Sequence, residues 1–255
     1  MNHIFNSLSD YYDFLTQPNP NPRPHPGDAN DPDFSFYQTK NLTEALDLLR
    51  NGTTDSKYDL CPKSAAALPT RTHSNRKVPT TAPVGFVPHV PNALLNLPNS
   101  MISTRLDPRQ TAPSPRQSIT IVRDVSYPCN VPAERIRELN LATTEYIRSL
   151  LLINPQPILT VYAHIGTSLS RSGEHHIYVR VKAPDQRLVI PQLNFAFCHP
   201  SFLRRCYCRW VEVSRDVPYV PEGYGTPISA PRSDAFPNTN IQWIFPNESV
   251  PRLKK

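Results

Sequence analysis

SITIVRDVSYPCNVPAERIRELNLATTEYIRSLLLINPQPILTVYAHIGTSLSRSGEHHIYVRVK, residues 118–182, carries the fold in its pattern. Its opening, Ser118 to Val125, alternates and is rich in β-branched residues, which predicts a strand. From Pro132 the period changes to that of a helix, with Ile136, Leu139, Thr143, Ile147 and Leu150 on one stripe. Pro132 suits the first helical position, Glu134 and Glu138 sit near the positive end, and Asn154-Pro155 stops the run. PILTVYAHI (157–165) and HHIYVRVK (175–182) read as two more strands, joined by a loop carrying Gly166 and Ser172-Gly173. Residues 192–213 read as a second helix, restarted at Pro200. Phe202, Leu203, Cys206, Tyr207, Trp210 and Val211 take one face of it, and Arg204, Arg205, Cys208 and Arg209 the other. IQWIF (241–245) is a last strand. The order β-α-β-β-α-(β) is an α/β (α+β) core, open to a ferredoxin-like sandwich or a von Willebrand factor A-like sheet.

Outward from this core the text changes character. The chain of 255 residues holds 30 Pro and only 7 Gly. Proline interrupts helices and is confined to strand edges, so a single core with long, stiff, irregular segments is expected. Four regions follow: an N-terminal arm (1–60), a basic irregular segment (61–117), the α/β core (118–213) and a proline-rich extension (214–255). The arm holds two short helices. IFNSLSDYYDFL (4–15) puts Phe5, Leu8, Tyr12 and Leu15 on one face, and TEALDLLR (43–50) is capped by Asn41 or Thr43 and stopped at Asn51-Gly52. Between them five prolines alternate with polar residues from Pro18 to Pro26, a polyproline spacer. In the second region one apolar patch, VGFVPHVPNALLNLPNSMI (84–102), is too broken by proline for a long helix. It reads as a segment hugging a core.

Charge and cysteine usage narrow the class. The net charge is +6, mildly suited to a polyanionic partner. The arm leans acidic, whereas 61–117 carries Lys63, Arg71, Arg76, Lys77, Arg105, Arg109 and Arg116 against Asp107. The opening MNHIFNSLSDYYDF has neither the basic nor the apolar region of a signal peptide, and no stretch is long and apolar enough to span a bilayer, so no membrane partner is expected. Five cysteines, three of them in an apolar run, fit reduced thiols.

Each constellation with catalytic overtones falls short on geometry. Asp124-x-Ser126 after the first strand has the start of a magnesium site, but Pro128 stands where a second hydroxyl is needed, and an Asx turn explains the pair. Cys198, His199, Cys206 and Cys208 resemble a zinc cluster. Residues two apart on a helix point roughly 200° apart, so packed thiols account for them better. His175 and His176 are adjacent on a strand and face opposite ways, unlike the paired histidines of replication nucleases; they are expected at the start of an exposed strand. No phosphate-binding or dinucleotide glycine motif is present. No catalytic residue, metal ligand or cofactor is therefore assigned. The residues singled out for nucleic acid are Arg204, Arg205 and Arg209 on the outer helix face, with Arg76 and Lys77 alongside.

FNSLSDYYDFL, NLTEALDLLRNG, VPHVPNALLNLPNSM, SITIVRDVSYPCNV, VRVKAPDQRL and NFAFCHPSFLRRCYCRWVE followed by GYGTP carry a resemblance along the whole chain. With these marks it resembles an uncharacterised family of proteins from bacteriophages and related mobile elements. His-Pro-x-x-Leu-Arg-Arg (199–205) is the most specific of them. The family's first long helix has Arg-Gly near its start and a Gly-led turn at its end. Leu139-Asn140 and Asn154-Pro155 stand here instead, the mark of a divergent member. The resemblance implies a viral or mobile-element origin and no mechanism. The expected function is thus a non-enzymatic viral protein binding nucleic acid or partner proteins, such as capsid components, in the host cytoplasm or the virion. A minor structural or virion-assembly protein is the alternative, and a nuclease or hydrolase the weakest reading.

Overall fold

The computed structural model describes residues 1–19, 33–58, 77–106, 118–151, 157–169, 172–218, 224–229, 236 and 240–246. The alternating-proline run from Pro20 onward, Cys61 and Arg76 lie outside them. In chain order the elements are β1 (Asn2–Phe5), α1 (Leu8–Leu15), α2 (Phe34–Tyr37), α3 (Leu42–Asn51), β2 (Lys77–Ala82), β3 (Val87–Pro88), α4 (Val90–Leu94), β4 (Met101–Leu106), β5 (Ser118–Asp124), α5 (Ala133–Leu150), β6 (Ile158–Leu169), β7 (Gly173–Lys182), α6 (Ile190–Cys198), a π-helical turn (Phe202–Cys206), α7 (Tyr207–Val213), β8 (Thr226–Pro227) and β9 (Ile241–Ile244). They form two compact units. The larger takes 1–65, 117–152 and 157–255, the smaller 66–116 and 153–156.

The larger unit is mixed α/β. Its sheet runs β1-β7-β6-β5-β9, with β8 beside β6. β5 is parallel to both β6 and β9, β6 and β7 are antiparallel, and β1 adds parallel to β7. β5 and β6 are direct neighbours, so β5-α5-β6 is an unsplit β-α-β unit. A ferredoxin-like sandwich would insert an antiparallel strand between them. One face of the sheet joins Ile121, Val161 and Val179 to Ile136 and Ile147 of α5, Phe195 of α6 and Trp210 of α7 in a single core. On the other face Val122, Tyr162 and Tyr178 pack with Phe236 and Trp243.

Several elements depart from the sequence expectation, each for a tertiary reason. The first four residues of the expected 4–15 helix region belong to or follow strand β1, because Asn2 to Phe5 register against His176 to Val179. The helix starts only at Leu8, where Ser7 Oγ accepts from Asp10 N–H at 2.9 Å, and it buries Tyr11 where Tyr12 was expected. Pro132 is the cap of α5, one position earlier than expected. Gly166 is not in a loop: β6 runs through it to Leu169. A Cβ there would lie 2.3 Å from the Ile228 carbonyl oxygen, so only glycine lets β6 and the chain after β8 approach. His175 and His176 are buried, not exposed, because β1 covers the outer edge of β7.

The smaller unit is also more regular than expected. β2 and β4 form an antiparallel ladder from Lys77↔Leu106 to Ala82↔Met101, and β3 pairs with the start of β4. Within the apolar patch, the large apolar side chains from Val84 to Leu97 are exposed.

Candidate functional site

The smaller unit builds a display of apolar side chains from backbone constraints. Gly85 turns the chain against β4: a Cβ there would stand 2.2 Å from the Ile102 carbonyl oxygen, and Phe86 N–H donates to that same oxygen at 2.9 Å. His89 N–H then donates to Ser100 O at 2.7 Å, and the His89 ring caps α4 by accepting from Asn92 N–H. Pro91 in the first turn suits a helix start. Asn96 in the left-handed region (φ 54°) ends it, and Asn92 Nδ2 ties the return by donating to Asn99 O at 2.8 Å. This frame turns Val84, Phe86, Val87, Val90, Leu94, Leu95 and Leu97 outward, with Val84 82% and Leu94 81% exposed. Seven of the twelve exposed large hydrophobic side chains among the described residues thus fall within fourteen residues. Such clustering sets these residues apart from apolar side chains exposed singly, which are ordinary on protein surfaces. Residues 84–97 also contain no Asp, Glu, Lys or Arg, matching the depletion of charge at interface centres.

Arg204, Arg205 and Arg209, singled out from the sequence, lie in the larger unit. Arg204 is 6% and Arg205 0% exposed, which corrects the expectation of a solvated basic face. The expected apolar face, with Phe202, Leu203, Cys206, Tyr207, Trp210 and Val211, is buried as well, so the helical phase holds and the arginine face is covered by Phe36, Thr39 and Leu15 of the N-terminal arm. Arg205 Nε donates to Thr39 Oγ1 at 2.6 Å and a terminal N–H to Thr39 O at 2.7 Å, with the guanidinium 4.1 Å over the Tyr37 ring. The Thr39 hydroxyl meets Ser201 Oγ at 2.7 Å, which donates to Tyr37 O. The result is a directional chain of hydrogen bonds from guanidinium to carbonyl. Arg204 donates to Phe36 O and Val131 O and stacks 3.8 Å from the Phe36 ring; burial pulls its pKa below the usual value. Arg209 donates to Leu15 O at 2.9 Å and Gln17 O at 2.7 Å, a cation at the carboxyl end of α1, which has no basic residue in its own last turn. All three arginines fasten the N-terminal arm to α6–α7. Lys77 opens β2, opposite Leu106.

The Asp124–Ser126 pair forms an Asx turn. Asp124 Oδ1 accepts from Ser126 N–H (3.0 Å), from the Ser126 hydroxyl and from His164 Nδ1 (3.2 Å), while Ser126 Oγ accepts from Gly166 N–H at 2.7 Å. Burial works against the charged carboxylate. The His164 hydrogen bond and charge and the two Ser126 bonds outweigh it and hold the pKa below the ordinary range. With His164 Nδ1 donating to Asp124, its Nε2 faces His176 Nδ1 at 3.2 Å. Burial, then the neighbouring His164, pushes His176 down to about 4. His175 lies on the opposite face of β7, 3.1 Å from His3 Nε2 and against Trp210. Cys198, Cys206 and Cys208 are buried thiols outside any disulfide, and burial raises Cys198 to about 12.

A family model described as a domain of unknown function (DUF7192) matches residues 1–250. The chain belongs to the DUF7192 family. It matches no curated protein and no solved structure. The family span takes in both compact units, so the apolar display and the arginine fastenings are parts of one DUF7192 domain. The sequence reading of 84–102 is a segment hugging a core, since its prolines forbid a long helix. The signal that distinguishes it is the absence of any charged residue from an apolar run too proline-broken to bury itself.

Proposed function

We propose that this DUF7192 chain is a non-enzymatic binding protein that associates with protein partners through the apolar face at 84–97, in a viral or mobile-element setting. The exposed, charge-free cluster carries the reading. The proposed partner is a second copy of the chain. A surface without charge meets its own copy without repulsion, and two-fold pairing of one patch with itself is the commonest form of assembly. A non-enzymatic role is supported by Asp124, Ser126, His164 and His176, which are buried and bonded to one another. The resemblance to bacteriophage and mobile-element proteins supports the setting, with the host cytoplasm or virion as compartment and capsid or other viral proteins as further partners.

Sedimentation velocity over a range of concentrations tests it. The native chain is expected to associate, and Leu94→Glu with Leu95→Glu to give a monomer with an unchanged circular dichroism spectrum. A native chain that stays monomeric at every concentration refutes self-association.

A second reading, nucleic-acid binding, is favoured by the basic balance of 61–117 and by the register that brings Lys77 and Arg105 to one end of the β2–β4 ladder. It now rests on that segment, since Arg204 and Arg205 are buried. Salt-sensitive binding of a labelled oligonucleotide supports this reading, and its absence removes it.

A further inference from the structure

The larger unit contains a crevice of about 520 Å³ at the carboxyl ends of β5 and β9. Its position follows from topology. β5 lies between β6, reached through α5, and β9, reached after the rest of the core, so the two connections part at the end of β5. In open sheets with parallel strands this point leaves a gap that no connection crosses, and ligands bind there. The segments around it are those that leave the strands: Ser126 to Pro128 after β5, Phe245 and Pro246 after β9, the first turns of α5, and Pro227 to Ser229. The volume lies within the range of small-molecule sites.

Its chemistry selects the occupant. Val131, Leu139, Ile228 and Phe245 make the walls apolar. The Ser126 hydroxyl lines the crevice but is already bonded to Asp124 and Gly166, so it offers little to a guest. One charged side chain lines the site, Arg135, whose side chain is 59% exposed and whose partner is the equally exposed Glu138, paired at 3.3 Å in a solvent-screened ion pair. An apolar chamber with a single cation among its lining residues fits a molecule with an apolar body and one acidic group. We propose that this crevice binds a small organic anion, an aromatic or aliphatic acid whose hydrocarbon part enters between α5 and the chain after β9 and whose carboxylate meets Arg135. The site is independent of the 84–97 face, so either stands without the other.

The test uses the full chain and 2-naphthoate as probe, followed by isothermal titration calorimetry, with neutral 2-naphthamide as control. The native chain is expected to bind one equivalent of naphthoate. Arg135→Ala should weaken naphthoate about fivefold, the scale of an exposed charge contact, while leaving naphthamide unchanged. Ser229→Trp places a ring at the exposed rim and should abolish binding of both without affecting the fold. The Leu94→Glu, Leu95→Glu variant should bind as the native chain does. Loss of binding in that variant would place the probe on the apolar face and overturn the proposal. No binding by the native chain, or binding indifferent to both Arg135→Ala and Ser229→Trp, overturns it as well.

Discussion

Arg205→Ala separates a buried fastening from a surface charge by a margin no assay can miss. The substitution removes two hydrogen bonds from a charged donor to Thr39, each worth about 1.5–3 kcal/mol. It also removes the stacking on Tyr37, about 0.5–2 kcal/mol. Thr39 O loses a donor, and the space of a fully buried side chain is left behind. These terms overlap, since all act on the same three residues, so a loss of about 4 kcal/mol is expected. Arg205→Lys keeps the charge but cannot present a fork, and about half of that loss should remain. An exposed arginine would give a change within about 0.5 kcal/mol. Equilibrium urea unfolding followed by tryptophan emission reads the difference, because Trp210 is buried beside this region. The midpoint should fall while the slope stays constant. Native-like stability in Arg205→Ala would refute the fastening and return the arginine to the surface.

Acidification should destabilise the fold before any carboxylate titrates. Burial pushes His199 down to about 3, and His176 lies near 4, both below the unfolded value of 6.5. The unfolded chain therefore takes up protons first as pH falls from 6.5 toward 4. The stability held above 6.5 is lost across that window, at about 1.4 kcal/mol per pH unit for each histidine. Unfolding midpoints measured from pH 7 to 4.5 should show this slope, and His199→Asn should make it shallower; a flat profile contradicts it. Gly166→Ala should cost about 2 kcal/mol in the same unfolding assay, since its Cβ would sit 2.3 Å from Ile228 O. Gly85→Ala collides with Ile102 O and should weaken association in sedimentation while leaving every apolar side chain of 84–97 in place; unchanged association would mean the frame does not set the face.

The parts legible in the sequence are those whose period is their own. α5 shows its stripe because it packs one face, with Ile136, Ile147 and Leu150 buried as the spacing requires. β5 and the β6–β7 hairpin likewise carry their alternation and turn residues. α3 appears with its Asn41 cap, which accepts from Glu44 N–H at 2.9 Å. What stayed hidden depends on partners far along the chain. Asn-His-Ile-Phe is too short to declare itself a strand until β7 offers it an edge. The arginines of 204–209 read as an outer face because nothing in that run shows that Phe36, Thr39 and Leu15, 166 or more positions earlier, return to cover it. The crevice leaves no mark in the sequence, being a gap between ends of strands 120 residues apart in number.

The arginine fastenings also fix a timetable for synthesis. The ligands of Arg205 lie 166 positions before it, and Met1 bonds to a carbonyl 173 positions later. A ribosome adding about 5–20 residues per second delivers the first 58 residues roughly 10–30 s before the stretch that receives them. During that interval β1, α1 and α3 have no surface to dock on, and helices so short do not persist alone. The nascent N-terminus must wait in an unfolded, chaperone-accessible form until α7 emerges. Closing loops of this length gives the domain a high contact order and slow folding. A truncation ahead of α7 would strand the whole N-terminal arm, even though every residue of the arm would still be present.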